Sequence, residues 1–199
     1  MKVGVLALQG NVPEHLQALA GLLPKGDLVP VRDPSTFAQV DTLFLPGGES
    51  TTIARLLKET HLWPLLASRL KEGFPVLGTC AGLILLARDL APGSGGRDPP
   101  TLGALDVRVR RNDYGAQRES FEGPVRVQGL SGGPFPGVFI RAPRILDVGP
   151  NAEPFAWRDQ EVVGVRAGVV WGTTFHPELS GDLRLHRRFL AEVGRSIRT

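Results

Sequence analysis

Apolar runs and amphipathic stretches alternate through the first half of the chain. Four mainly apolar runs predict buried parallel strands at 2–8, 28–32, 42–45 and 74–78. The leucines between and after these runs are spaced for helices at 13–23, 53–59, 62–72 and 81–90. Ser50, Thr51 and Thr52 are placed to cap the second of these helices. Strands alternating with helices at this rhythm predict an α/β fold with a central parallel sheet.

The pattern changes after residue 91. A loop rich in glycine and proline at 91–100 is too short for a domain linker. Short β-type runs then follow at 102–110, 123–129, 137–142, 161–168 and 169–175. We expect these runs to be antiparallel additions to the edge of the sheet, and a final amphipathic helix at about 182–194 to complete one domain over residues 1–199.

Composition narrows the class of protein. Hydrophobic residues make up 42% and charged residues 22% of the chain, which is ordinary for a soluble globular domain. The N-terminus predicts a buried strand and not a secretion signal, so we expect a cytoplasmic protein. The net charge is +3, but the arginines are dispersed and not gathered on a face with aromatic residues, which disfavours nucleic-acid binding.

The chain has a single cysteine, which excludes an internal disulfide and a paired-thiolate zinc site. Cys80 lies in the pattern G-x-C-x-G, between a predicted strand and a predicted helix. This is the cysteine form of a nucleophile elbow, in which flanking glycines allow a sharp turn. A buried inert cysteine, a redox thiol and a metal ligand are the alternatives that the pattern by itself leaves open.

A nucleophilic thiol needs a base, and the chain has four histidines. His15, His61 and His186 lie in or beside predicted helices, and we expect them at the surface or at helix ends. His176 instead follows the apolar run VVWGTTF, which puts it at the carboxyl end of a strand, where α/β sheets bind ligands. Glu178 comes two residues later and can orient the imidazole, although a turn with a surface glutamate is the plain alternative.

The segment LPGGES supplies a third element. Gly47 and Gly48 can present backbone N–H groups to an oxyanion, together with the N–H of Ala81 after the cysteine. A strand-to-helix turn that needs glycine for conformational reasons is the alternative explanation, and both can hold for one loop.

Seven motifs in order carry a resemblance over nearly the whole chain: GVLALQG, LPGGESTT, GTCAGLILLA, RRNDYG, SFEG, GVFIRAP and FHPEL. With them the chain resembles the glutaminase subunits of pyridoxal 5′-phosphate synthase, which are class I glutamine amidotransferases. The resemblance implies a flavodoxin-like three-layer sandwich. It also implies hydrolysis of L-glutamine to glutamate and ammonia, and transfer of the ammonia to a (β/α)8-barrel synthase subunit in a large heteromeric complex that makes pyridoxal 5′-phosphate (vitamin B6).

The resemblance also assigns residues. It implies that Cys80 is the nucleophile, His176 the base and Glu178 its orienter, with no metal and no cofactor. It implies that glutamine is bound by residues at six positions: Gly48, Glu49, Ser50, Arg111, Ile140 and Arg141. A solvated Arg111 and a core Ile140 are the plain alternatives. This chain has Ala116 where the relatives usually have arginine, which puts any contact of that side chain in doubt.

Three other functions compete with this one. A cysteine peptidase or aldehyde-modifying enzyme of the same superfamily also exposes a cysteine on an elbow, but HPE favours the amidotransferases. A glutaminase that serves another acceptor, as in histidine biosynthesis, is the nearest alternative. A non-catalytic subunit that only regulates a partner is disfavoured because Cys80, His176 and Glu178 are all present. We also expect a partner to raise the activity, by correcting the 47–48 peptide on docking.

Overall fold

The computed structural model describes residues 1–92, 98–111 and 120–196. Within these residues, nine strands form one mixed sheet. Five adjacent strands of this sheet run parallel to one another. In spatial order these five are β2 (Leu28–Val31), β1 (Val3–Leu6), β3 (Thr42–Leu45), β4 (Val76–Thr79) and β12 (Val170–Thr173). This is the strand order of flavodoxin-like folds. After β2 the chain crosses to the other side of β1 to add β3, and at such a switch point a crevice opens at the carboxyl ends of the strands.

The remaining four strands extend the sheet beyond β12 as antiparallel neighbours. They are β11 (Glu161–Ala167), β10 (Glu153–Arg158), β7 (Phe121–Val127) and β8 (Phe135–Phe139). The predicted mostly parallel sheet with antiparallel additions at one edge is therefore confirmed. Strand β10 had no counterpart in the sequence prediction.

Helices cover both faces of the sheet and create two cores. Helices α1 (Val12–Ala20) and α6 (Arg184–Ser196) pack on one face, where Leu19 and Phe189 join Phe44. The other face carries α2 (Pro34–Phe37), α3 (Ser50–Glu59), α4 (Leu62–Lys71) and α5 (Ala81–Leu86). Leu43 and Leu45 face this second core while Phe44 faces the first, because successive side chains of a strand point to opposite faces of the sheet. The three predicted layers are present.

A separate three-stranded sheet corrects two predictions. It consists of β5 (Ala87–Leu90), β6 (Leu105–Arg110) and β9 (Arg144–Val148). The helix predicted to reach residue 90 ends at Leu86, because the backbone leaves the helical region at Ala87 and pairs with β6. The run at 102–110 belongs to this sheet and not to the edge of the large one. Strand β9 was not predicted.

The cap of α3 also differs from the prediction. Glu49 is the capping residue, and its carboxylate accepts hydrogen bonds from the N–H groups of Thr51 (3.4 Å) and Thr52 (2.8 Å). Ser50 is instead the first residue of the helix. Across the described ranges of the chain, no helix combines the length and the apolar content that crossing a membrane requires.

Candidate active site

The carboxyl ends of four parallel strands meet around one cavity of about 510 Å³. Thr79 of β4 pairs with Thr173 of β12, and Leu45 of β3 pairs with Gly78, so these strands end at nearly the same level. The cavity has a volume typical of small-molecule sites. Eight of the predicted residues line it: Gly48, Glu49, Ser50, Cys80, Arg111, Ile140, Arg141 and His176.

Cys80 is held in a sharp turn between β4 and α5. Its backbone has φ 50° and ψ −100°, a left-handed conformation that a residue with a side chain rarely adopts. The N–H of Cys80 donates to the carbonyl of Thr173 at 2.8 Å, which ties the turn to β12. The sulfur is 3.9 Å from the carbonyl oxygen of Ile140. Cys80 is mostly buried, but it reaches the cavity.

The two glycines of the G-x-C-x-G pattern are sterically required. A Cβ atom on Gly82 would overlap the carbonyl oxygen of Leu45, and one on Gly78 would lie 2.6 Å from the carbonyl carbon of Gly82. Both distances are too short for real contacts, so α5 can approach β3 and β4 this closely only with glycine at these positions. The steric reason expected from the sequence is confirmed.

His176 and Glu178 form a buried pair beside the cysteine. Nδ1 of His176 is 2.8 Å from Oε1 of Glu178, and Pro177 between them begins a short 3-10 helix, Pro177–Leu179. The N–H of His176 donates to the carbonyl of Val138 at 2.8 Å, so an antiparallel edge strand helps to position the ring. A carboxylate can only accept, so Nδ1 carries the proton, and in the neutral ring Nε2 is the nitrogen that can take up a second one.

The electrostatics of this pair favour charge separation. Burial disfavours the imidazolium of His176, but hydrogen bonds to Cys80 and Glu178 and the charges of both outweigh burial and raise the pKa of His176 to about 10. Burial likewise opposes ionisation of Glu178, but the neighbouring histidines and the hydrogen bond from His176 lower its pKa to about 2. The geometry thus stabilises an imidazolium at His176, beside the sulfur of Cys80 and the carboxylate of Glu178.

The predicted oxyanion donors are not equivalent. Ala81 is the first residue of α5, so its N–H has no partner within the helix. The N–H of Gly47 donates to Oγ1 of Thr79 at 3.1 Å, and its carbonyl accepts from the N–H of Asn11 at 2.9 Å. Gly47 therefore does not offer its N–H to a ligand, and the prediction for that residue is corrected. Gly48 lines the cavity.

Gly47 has a steric role instead. A Cβ atom there would lie 2.9 Å from Nδ1 of His176 and 3.3 Å from Cβ of Cys80, and it would overlap Cε1 of the imidazole. The 47–48 loop can pass over the pair only without a side chain at position 47.

Comparison with known proteins decides the family. The SNO glutamine amidotransferase family matches residues 5–195. The chain belongs to this family. Among curated proteins, it is 50% identical over 189 residues to pyridoxal 5′-phosphate synthase subunit PdxT of Streptomyces coelicolor, covering 94% of this chain and 91% of that one. It is 43% identical to the PdxT subunit of Pyrococcus furiosus, covering 97% and 99%. A solved structure described as a glutamine amidotransferase superposes with a TM-score of 0.88, at 43% identity, over 98% of this chain and 100% of that chain.

Four residues of this amidotransferase site were not predicted: Gln9, Gly10, Asn11 and Ile84. Oε1 of Gln9 accepts from the N–H of Glu49 at 2.9 Å, and Nδ2 of Asn11 donates to Oε1 of Glu178 at 3.2 Å. The first three directly follow the predicted strand at 2–8, and this position at the end of a parallel strand was a signal that could have found them.

The predictions for two histidines were wrong. His15 and His186 are completely buried in the core between the sheet and the α1 and α6 helices, whereas His61 is exposed as predicted. The ring of His186 stacks on Phe44, with the centroids 5.8 Å apart. Burial lowers the pKa of both His15 and His186, so both are neutral near pH 7.

Arg111 lies at the rim of the cavity, where its guanidinium is 3.6 Å from a carboxylate oxygen of Glu49 and 3.3 Å from one of Asp98. Ala116, the departure noted above, lies outside the described residues. Within the described part of the chain, no group of three or more His, Cys, Asp or Glu side chains is arranged to hold a metal ion.

Proposed function

We propose that this chain hydrolyses L-glutamine to glutamate and ammonia, with Cys80 as the nucleophile, His176 as the base and Glu178 as the residue that orients the base. The observation that carries the proposal is the hydrogen bond of 2.8 Å between His176 and Glu178, beside a cysteine on a strained turn in the same cavity. Membership of the amidotransferase family favours glutamine over a peptide or an aldehyde as substrate. All of residues 1–199 would serve as one glutaminase domain.

The reaction follows from the geometry. Nε2 of His176 takes the thiol proton, and the thiolate of Cys80 attacks the carboxamide carbon of glutamine. The N–H groups of Ala81 and Gly48 stabilise the resulting oxyanion, and each such donor is worth about 2.7–4 kcal/mol in the transition state. The imidazolium then gives its proton to the NH2 group of this intermediate, the C–N bond breaks, and ammonia leaves behind a glutamyl thioester. His176 finally activates a water molecule that hydrolyses the thioester and releases glutamate.

The rim of the cavity provides the groups that a free amino acid needs. Arg111, Ile140 and Arg141 line the cavity together with the 48–50 loop, and the guanidinium of Arg111 is 3.6 Å from the carboxylate of Glu49. We propose that Arg111 attracts the carboxylate of glutamine, and that the Gly48, Glu49 and Ser50 segment and the backbone of Ile140 and Arg141 hold the rest of the substrate.

We further propose that the ammonia passes to a partner (β/α)8-barrel synthase subunit in a large heteromeric complex, for the synthesis of pyridoxal 5′-phosphate. The support is that curated relatives at 43–50% identity are named subunits of pyridoxal 5′-phosphate synthase. The reaction would take place in the cytoplasm, where thiols stay reduced.

The test is an assay of ammonia release from glutamine, with and without the synthase subunit of the same source. We expect turnover to rise when the partner is added, and to be abolished by Cys80→Ala and His176→Asn but not by the matched control His61→Asn at the exposed histidine. Ammonia release that survives Cys80→Ala would refute the mechanism. Formation of pyridoxal 5′-phosphate from a pentose phosphate and a triose phosphate in the mixture separates this role from that of a glutaminase with another acceptor.

A further inference from the structure

A second histidine lies directly behind the catalytic pair. His15 of α1 is completely buried, and its Nε2 atom is 3.1 Å from Oγ1 of Thr79 and 3.5 Å from Oε2 of Glu178. Thr79 is the residue that precedes Cys80. One imidazole nitrogen therefore faces both the acid of the triad and the strand end that carries the nucleophile.

The surroundings of His15 decide which nitrogen carries its proton. Nδ1 is buried and has no hydrogen-bond partner among the described residues. A proton there would leave a buried donor unsatisfied and would turn the lone pair of Nε2 towards a carboxylate. A proton on Nε2 instead points at two oxygen acceptors. The neutral ring with its proton on Nε2 is therefore the favoured form.

The second carboxylate oxygen of Glu178, Oε2, needs a hydrogen-bond donor. The Oε1 atom accepts from His176 and from Asn11, but Oε2 is buried and has no hydrogen-bond partner within the described residues. His15 is the residue that approaches Oε2, at 3.5 Å. Without it, Oε1 would be the carboxylate oxygen that holds the orientation of Glu178, through His176 and Asn11.

Thr79 extends the connection to the substrate loop. Its Oγ1 atom accepts both from Nε2 of His15, at 3.1 Å, and from the N–H of Gly47, at 3.1 Å. His15 thus sits where the triad acid, the cysteine elbow and the 47–48 loop are joined.

We propose that neutral His15 is a positioning residue: its Nε2–H holds Oε2 of Glu178 and Oγ1 of Thr79, and so fixes the orientation of His176 and of the 47–48 loop. The proposal rests on the proposed function in assigning Cys80, His176 and Glu178 to the triad. The competing explanation is a histidine that merely fills the core.

The experiment compares His15→Gln with His15→Leu in the full chain, assayed together with the synthase subunit. Glutamine places an amide donor near the position of Nε2, whereas leucine only fills the volume. We expect kcat for ammonia release to fall about tenfold or more in His15→Leu, the scale of one hydrogen bond to a charged group, with KM changed less. His15→Gln is expected to stay within about threefold of the parent chain.

His186→Leu is the matched control, because His186 is an equally buried histidine in the same core, 6.3 Å from the ring of His15, and neither of its ring nitrogens is hydrogen-bonded within the described residues. It should leave kcat unchanged. Equal losses in His15→Gln and His15→Leu, or a kcat in folded His15→Leu equal to the parent value, would overturn the proposal.

If His15→Leu does not fold, a comparison of Thr79→Val with Thr79→Ser replaces it. The valine variant lacks the hydroxyl group and should lose about tenfold in kcat, whereas the serine variant keeps the hydroxyl and should not. Equal kcat values in these two variants would overturn the proposal.

Alkylation of Cys80 by iodoacetamide separates this inference from the proposed function. Cys80 is the only cysteine of the chain, so the rate of alkylation reports the thiolate without any substrate. His15→Leu should react more slowly than His15→Gln even if glutamine proves not to be the substrate. Equal alkylation rates would count against His15, whereas absence of ammonia release from the parent chain would count against the proposed function.

Discussion

The Nδ1 atom of His176 lies 2.8 Å from Oε1 of Glu178, in a site where both side chains are buried. The carboxylate fixes a proton on Nδ1, so proton exchange with the cysteine is left to Nε2. Burial opposes the imidazolium, but Cys80 and, after it, Glu178 stabilise this form and together raise the pKa of His176 to about 10.

Glu178→Gln should lower kcat for glutamine hydrolysis by about a hundredfold or more, with little change in KM. The amide keeps the shape of the side chain but removes its charge and allows the wrong tautomer of His176. Steady-state kinetics of ammonia release measure this effect. Glu59→Gln, on the exposed end of α3, is the control and should match the parent chain. A Glu178→Gln variant with full kcat would show that Glu178 does not orient the base.

Gly47→Ala should reduce kcat by about a hundredfold while the chain stays folded. The added methyl group would overlap the imidazole of His176 and must displace either the ring or the loop. Gly21→Ala is the matched control, because that glycine ends α1 with open space around it and φ −79°. Activity and circular dichroism of both variants test the prediction. Similar activities in the two would indicate that the 47–48 loop adapts without cost.

Arg111→Met should raise KM for glutamine by about tenfold or more and affect kcat less. The guanidinium lines the cavity and would bind the substrate carboxylate equally in the ground state and the transition state. The control is Arg108→Met on β6, whose guanidinium lies 3.6 Å from Asp89. A loss confined to kcat would assign Arg111 to the chemical step instead of to binding.

His186→Leu should make the protein more resistant to acid. Burial, more than the nearby His15, lowers the pKa of His186 from 6.5 to about 4, while Glu178 and Asp182 oppose the shift. The unfolded chain therefore binds a proton more readily than the folded chain between pH 6.5 and 4, so stability falls as the pH falls through this window. The full effect is about 3 kcal/mol below pH 4.

Urea unfolding at several pH values measures this difference. The free energy of unfolding of the parent chain should drop towards pH 4 more steeply than that of His186→Leu. Protonation of Glu178, whose pKa is lowered to about 2, reduces the stability of both proteins equally as the pH falls. Parallel pH profiles for the two proteins would mean that His186 does not carry the effect.

Much of the site follows from local pattern. Cys80 could be found because its flanking glycines are needed where a Cβ atom would collide with neighbouring backbone, and His176 because it follows a strongly apolar strand. His15 and His186 were misplaced because an amphipathic helix shows which side is apolar but not whether a histidine on it meets a partner across the sheet. Residues 87–90 were assigned to a helix because their pairing with β6 is a long-range contact that local spacing does not reveal.

The sequence by itself determined the alternation of strands and helices, the elbow around Cys80 and the strand-end position of His176, because steric limits on glycine and the burial of apolar runs are local properties. Only the tertiary structure decided that the N–H of Gly47 is donated to Thr79, that Glu49 caps α3, and that His15 lies behind Glu178. The contacts of Gly47 and His15 join segments far apart in the chain, and their geometry depends on how the sheet and both helical layers pack, whereas the Glu49 cap is a local choice among neighbouring polar residues.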